Sequence, residues 1–104
     1  MVKKSILARL VAKPGKEEEV AQFLKNALAL AEEEKGTISW YALRIDNSTF
    51  GIFDTFNDDQ GRDAHLNGPI AKALMSRATE LLSKPPTIEK VDILASKEKE
   101  GVSA

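Results

Sequence analysis

At 104 residues the chain can bury about 65% of its unfolded surface, enough for one modest core and a single domain. It contains no cysteine, so nothing indicates an oxidising compartment or a thiolate site. Lys and Arg number 15 against 16 Asp and Glu, a net charge of -1 that leaves no basic excess to hold a phosphate backbone and argues against nucleic acid as a partner.

The N-terminus pairs Lys3-Lys4 with apolar Ile6-Leu7-Ala8. Arg9 and Lys13 interrupt any hydrophobic region and no small-residue cleavage site follows, so no signal peptide is expected. No run approaches membrane-spanning length, and the expectation is a cytoplasmic protein without a membrane partner. Residues 4 to 12 are short, apolar and branched, and Lys13-Pro14-Gly15 stops them, which predicts a first strand with Ile6, Ala8 and Leu10 on one face and Leu7, Arg9 and Val11 on the other.

A helix follows. Val20, Phe23, Leu24, Ala27, Leu28 and Ala31 recur at the three-and-four spacing of one apolar stripe, and Glu17, Glu18 and Glu19 occupy the first turn, where the helix dipole favours negative charge. Lys35-Gly36 reads as its C-terminal signal. The run Glu32-Glu33-Glu34 reads as a solvated face, because three consecutive helical residues point in three directions.

Thr37 to Ile45 predicts a second strand, Asp46-Asn47-Ser48 a turn, and Thr49 to Phe56 a third strand, so these two strands form a hairpin. A helical segment spans Asn57 to Leu66, with Asn57, Asp58 and Asp59 as candidate caps and Asn57 with Gln60 at capping-box spacing. Gly68-Pro69 breaks it and Pro69 opens another helix, whose stripe of Ile70, Leu74, Ala78, Leu81 and Leu82 runs to Pro85-Pro86. Thr87 to Ala95 predicts the fourth strand. One domain therefore spans residues 1–96, and residues 97–104 form a charged or small-residue tail.

The order is the split βαββαβ arrangement of α+β ferredoxin-like domains, with an antiparallel sheet and both helical segments on one face. The third strand carries Phe50, Ile52 and Phe56 on one side and Phe53 on the other, while Trp40 and Tyr41 point oppositely. Neither face is polar enough to meet water, which predicts a homodimer packed through a sheet face.

His65, the only histidine, stands beside the bend at Gly68-Pro69 and is the candidate general base, hydrogen-bond donor to a developing oxyanion, or metal ligand. Asp54 lies mid-strand among aromatics, where an unpaired carboxylate is costly; it either meets Arg9 or Arg44 or lines a polar point in a cavity. Trp40, Tyr41 and Phe56 complete the candidate substrate-binding set with Asp54. No spacing supplies a metal site, and no glycine-rich phosphate loop or cysteine or histidine cluster calls for a cofactor.

Ala64-His65-Leu66-Asn67-Gly68-Pro69, followed by Ala71-Lys72-Ala73 and preceded by an aromatic strand holding Asp54 and Phe56, resembles the antibiotic biosynthesis monooxygenase family, whose quinol monooxygenase members show a similar Ala-His-Leu-x-x-Pro segment. The resemblance extends over nearly the whole chain, including Lys13-Pro14-Gly15. It implies a dimeric α+β barrel and cofactor-free oxygenation of a small aromatic quinol- or anthrone-like substrate, with His65 favouring the phenolate. Quinol-type members often have histidine after the proline, where this chain has Ile70, and tryptophan where it has Phe56. The tryptophan, histidine and asparagine of haem-degrading relatives are replaced near His65, Met75 and Ala8, so haem degradation is not expected. The alternative on the same fold is a non-catalytic small-molecule-binding or stress-associated dimer. Phe50-Gly51-Ile52-Phe53 echoes an RNA-binding strand, but Thr55 replaces an aromatic there and the charge is wrong for RNA.

Overall fold

The structure, a computed structural model, describes residues 2–99. Four strands, β1 (Lys4–Val11), β2 (Thr37–Arg44), β3 (Thr49–Phe56) and β4 (Thr87–Asp92), form one antiparallel sheet in the order β2-β3-β1-β4. Helix α1 (Glu17–Glu33) connects β1 to β2, and α2 (Asp59–Leu66) with α3 (Pro69–Leu81) connects β3 to β4. This is the expected α+β ferredoxin-like fold.

Register explains how the core divides. Ile6 lies opposite Asp54, Ala8 opposite Ile52 and Leu10 opposite Phe50, so alternate residues of β1 and β3 share the face that the helices cover. Val20 and Leu24 of α1 and Leu74 and Leu81 of α3 close over Ala8, Leu10, Phe50 and Ile52 in the main apolar cluster. Ala27, Ala31 and Ile70 form a smaller one, against which Trp40 packs. Leu28, expected in the α1 stripe, remains exposed on its flank. On the opposite face, Tyr41 and Leu43 are exposed and Leu7, Val11 and Phe53 are half buried.

Several boundaries differ from the sequence expectation for identifiable reasons. Asp58, rather than Asn57, caps α2 by accepting the Gly61 N–H at 2.8 Å, so the Asn57–Gln60 capping box does not form. Helix α1 ends at Glu33, and Glu34 is already extended with φ -82° and ψ 111°. Lys35 and Gly36 lie in the following turn, and Gly36 has no positive φ. Its lack of a side chain has another cause: a Cβ there would stand 2.9 Å from the Gly61 Cα, so the turn after α1 and the first turn of α2 touch backbone to backbone. The hairpin turn is held by Asp46, whose Oδ1 accepts the N–H groups of Ser48 and Thr49 at 3.0 and 2.8 Å.

Strand β2 stops at Arg44 and β4 at Asp92, three residues before the expected end. Residues 93–99 have no regular structure, and 100–104, the rest of the expected tail, lie outside the described residues. No described helix is long and apolar enough to cross a membrane.

Candidate functional site

Helix α2 is short and mostly polar, and it presents Arg62 and His65, one turn apart, to the end of the sheet. The His65 ring lies 5.4 Å from that of Phe56, tilted by 45°. Arg62 ties the helix down: one guanidinium nitrogen reaches Asp59 at 3.1 Å, a second points at the carbonyls of Ser5 and Val91, each 3.4 Å away, and Nε is buried without a partner.

With the helix so placed, His65 stands between two carboxylates. Its Nδ1 lies 2.6 Å from Glu34 Oε1 and its Nε2 lies 2.9 Å from Asp54 Oδ2. The three side chains are buried in gradation, Asp54 fully, His65 8% exposed and Glu34 14%. Burial works against a charge on the imidazole, but the hydrogen bonds and charges of Asp54 and Glu34 outweigh it and hold its pKa above 6.5. His65 is therefore an imidazolium over a wider pH range than a free histidine, with both nitrogens engaged. Both oxygens of Asp54 are buried and neither has a well-aligned hydrogen bond: Oδ2 meets the ring as a close charge contact, and Oδ1 has no partner. A buried acceptor with no donor is costly, and here the carboxylate borders a hollow.

That hollow is an apolar cavity of about 40 Å³ between the sheet and helices α2 and α3. Ile6, Ala8, Ile52, Ile70 and Leu74 form its buried walls, Asp54 and His65 supply its polar side, and Leu66, Ala71, Met75 and Ile88 complete it. Met75, 56% exposed, and Ile88 mark the side nearest solvent. A volume of this size holds a molecule or two the size of water, well short of the roughly 300 Å³ at which pockets for drug-sized ligands begin.

The sequence candidates separate in space. His65 and Asp54 meet at the cavity, and Asp54 contacts neither proposed arginine: Arg44 pairs with Glu18 at 2.9 Å, and Arg9 is exposed on the opposite face of the sheet. Phe56 is fully buried against His65 and does not line the cavity. Trp40 and Tyr41 border a different hollow, an open groove of about 420 Å³ between α1 and β2 that also touches Leu28 and Ile38. It is the larger of the two, but the acid–base pair is not in it. Trp40 lies opposite Asp54 across the β2–β3 ladder, with its indole Nε1 buried and unpartnered, while Tyr41 projects from the other face.

Glu34 is the residue that sequence reasoning missed. Helical periodicity assigned it to a solvated run, yet the helix has ended there, and the extended backbone turns its carboxylate inward. Thr37 Oγ1 donates to the same oxygen that faces His65, at 2.7 Å. The available signal was position: a carboxylate just before Lys35-Gly36 sits where helical geometry gives out. Among the described residues, no group of three or more histidine, cysteine or acidic side chains is arranged to hold a metal ion.

An antiparallel sheet with helices on one face, and a buried imidazole between two carboxylates at a cavity beneath them, define an α+β ferredoxin-like protein with a candidate acid–base site. Residues 5–77 match the profile of the antibiotic biosynthesis monooxygenases, and the chain belongs to this family. A Nitrosomonas europaea protein of unknown function is similar at 55% identity, with a TM-score of 0.93 over 97% of this chain and 98% of that one. Two more distant structures share the fold. One, Rv0793 from Mycobacterium tuberculosis, has 18% identity and a TM-score of 0.80 over 92% of this chain and 99% of its own. The other, a Caulobacter crescentus protein described as a candidate antibiotic biosynthesis monooxygenase, has 16% identity and a TM-score of 0.76 over 90% and 92% of the two chains. No functionally curated protein matches the chain.

Proposed function

We propose that this protein is a cofactor-free monooxygenase that oxidises a small, electron-rich aromatic of the quinol or anthrone type with dissolved oxygen. The observation that carries the reading is Asp54: fully buried, one oxygen against the His65 imidazolium and the other unpartnered beside an apolar cavity. A phenolic or enolic hydroxyl is the group such an oxygen accepts from. Asp54 then takes its proton, and the imidazolium stabilises the electron-rich anion left behind. This divides the part first assigned to His65 alone, since both of its nitrogens already face carboxylates.

For an anthrone-like substrate the balance is complete without another reactant. The ring carbon gives electrons to dioxygen and forms a C–O bond. The resulting hydroperoxide loses water, so a methylene and dioxygen become a ketone and water. The proton taken by Asp54 returns to the departing oxygen. The protein binds, orients and excludes water. Binding requires Met75 to move, because the cavity is narrower than an aromatic ring; an unbranched side chain more than half exposed makes that movement inexpensive.

The protein acts as a cytoplasmic homodimer in this reading, joined through the sheet face that bears Leu7, Tyr41, Leu43 and Phe53. An apolar face of this kind, with no covering element among the described residues, favours a second copy. A second reading, a non-catalytic small-molecule-binding or stress-associated dimer, is favoured by the narrowness of the cavity. Oxygen uptake over a panel of quinols and anthrones separates the two. Turnover above autoxidation that is lost in Asp54→Asn and His65→Ala supports the oxygenase; rates identical to autoxidation in the wild type overturn it and leave the binding dimer.

A further inference from the structure

The cavity needs an ionised Asp54, yet a carboxylate alone against an imidazole inside apolar walls can take the shared proton for itself. Glu34 answers this from the far side of the ring. Its Oε1 stands 2.6 Å from His65 Nδ1 and also accepts from Thr37 Oγ1. Its Oε2 is buried without a hydrogen-bond partner, close to Gly68, the N-cap of α3, where a Cβ would come within 3.3 Å of it. The Gly36–Gly61 backbone contact brings this turn up to α2. A glutamate so tightly seated by three elements is doing more than solvating a helix end.

We propose that Glu34 is a positioning residue of this site: it holds His65 as an imidazolium between two carboxylates, so that Asp54 remains an unprotonated acceptor for the substrate hydroxyl. The inference rests on the reading of Asp54 as the proton acceptor. A second carboxylate accepts the Nδ1–H and adds negative potential at the ring, which biases the shared proton toward Nε2 and away from Oδ2. The other charges near the ring do not replace it. Arg62 on α2 is taken up by Asp59 and by the Ser5 and Val91 carbonyls. Lys4 of β1 pairs with Asp59 and Asp92, and Lys35 borders the outer pocket shared by Glu34 and His65. From α3, Ile70 meets the same cavity with an apolar side chain.

The single histidine makes the test direct, because every imidazole signal in a ¹⁵N-correlated NMR spectrum of the full chain belongs to His65. In the wild type both ring nitrogens are expected to stay protonated at pH 7. In Glu34→Gln the titration midpoint should fall by about one pH unit, a tenfold change in the protonation equilibrium, and the ring at pH 7 should shift toward a neutral tautomer. With a quinol substrate, kcat of Glu34→Gln should fall about two- to threefold at pH 7, following the lost imidazolium fraction, with little change in KM, and recover as the pH is lowered to 6. Glu34→Asp, one methylene shorter, should give an intermediate midpoint, and it carries the test if the glutamine variant does not fold. A His65 midpoint and tautomer in the folded variant that coincide with the wild type overturn the proposal. If the midpoint moves while no protein shows oxygen uptake, the oxygenase reading and Asp54's part in it fail, and only the hold of Glu34 on the His65 proton stands.

Discussion

Replacing Gly36 by alanine tests the contact that builds the site from outside it. The backbone of Gly36 lies in a region open to any residue, so alanine brings no conformational strain, and by restricting the unfolded chain it would by itself stabilise by about 0.4–1 kcal/mol. Against this, the new methyl would stand 2.9 Å from the Gly61 Cα, a backbone atom that no rotamer change can move. Forcing one methyl into a packed contact costs about 1–3 kcal/mol. The net expectation is a loss of roughly 1–2 kcal/mol, or a fall in Tm of about 5–15 °C for a domain of this size. Thermal unfolding followed by circular dichroism reads the stability, and the fluorescence of the only tryptophan, Trp40, is a second probe. The same push moves Glu34 away from His65, so the imidazole titration should shift with it. A Gly36→Ala protein as stable as the wild type, or one that loses stability while His65 titrates unchanged, would refute the claim that this contact delivers Glu34.

Asp54→Asn should lower turnover by roughly 10²–10⁴-fold, the usual contribution of a placed proton-transfer group, with the fold intact by circular dichroism. The raised pKa of His65 makes a signed prediction about stability. The folded state binds this proton more tightly than the unfolded one, so the contribution is fully present below 6.5 and is lost as the pH rises through the folded-state value. The Tm advantage of wild type over His65→Gln should therefore be greatest near pH 6 and shrink toward pH 9; an advantage that grows with pH contradicts the assignment. Phe53→Asp should convert a dimer into an 11.4 kDa monomer in light scattering, because a buried unpaired charge costs several kcal/mol, whereas Phe50→Asp or Ile52→Asp should unfold the chain from its core. A wild type already monomeric at micromolar concentration removes the dimer.

Much of this protein was legible in its sequence because the signals are local. The period of Val20, Leu24, Ala27 and Ala31 requires only that one face be apolar, and Pro69 opens a helix by its fixed φ whatever lies around it. Alternation along β1 and β3 likewise assigned Ile6, Ala8 and Leu10, and Phe50 and Ile52, to common faces, and strand order with right-handed crossovers placed the helices together. What tertiary structure alone decided lies where elements from distant parts of the chain meet. In sequence Asp54 could meet Arg9 or Arg44 or line a cavity; register turns Arg9 to the other face, and Arg44 is taken by Glu18 of α1. Glu34 looked like one acid in a solvated run until the end of α1 released it to the ring of a residue 31 positions away. Gly36 read as a helix terminator, but its smallness is spent on Gly61, and no local rule records that approach. Periodicity determines which face of an element is buried; which groups then lie within 3 Å depends on how the elements are docked.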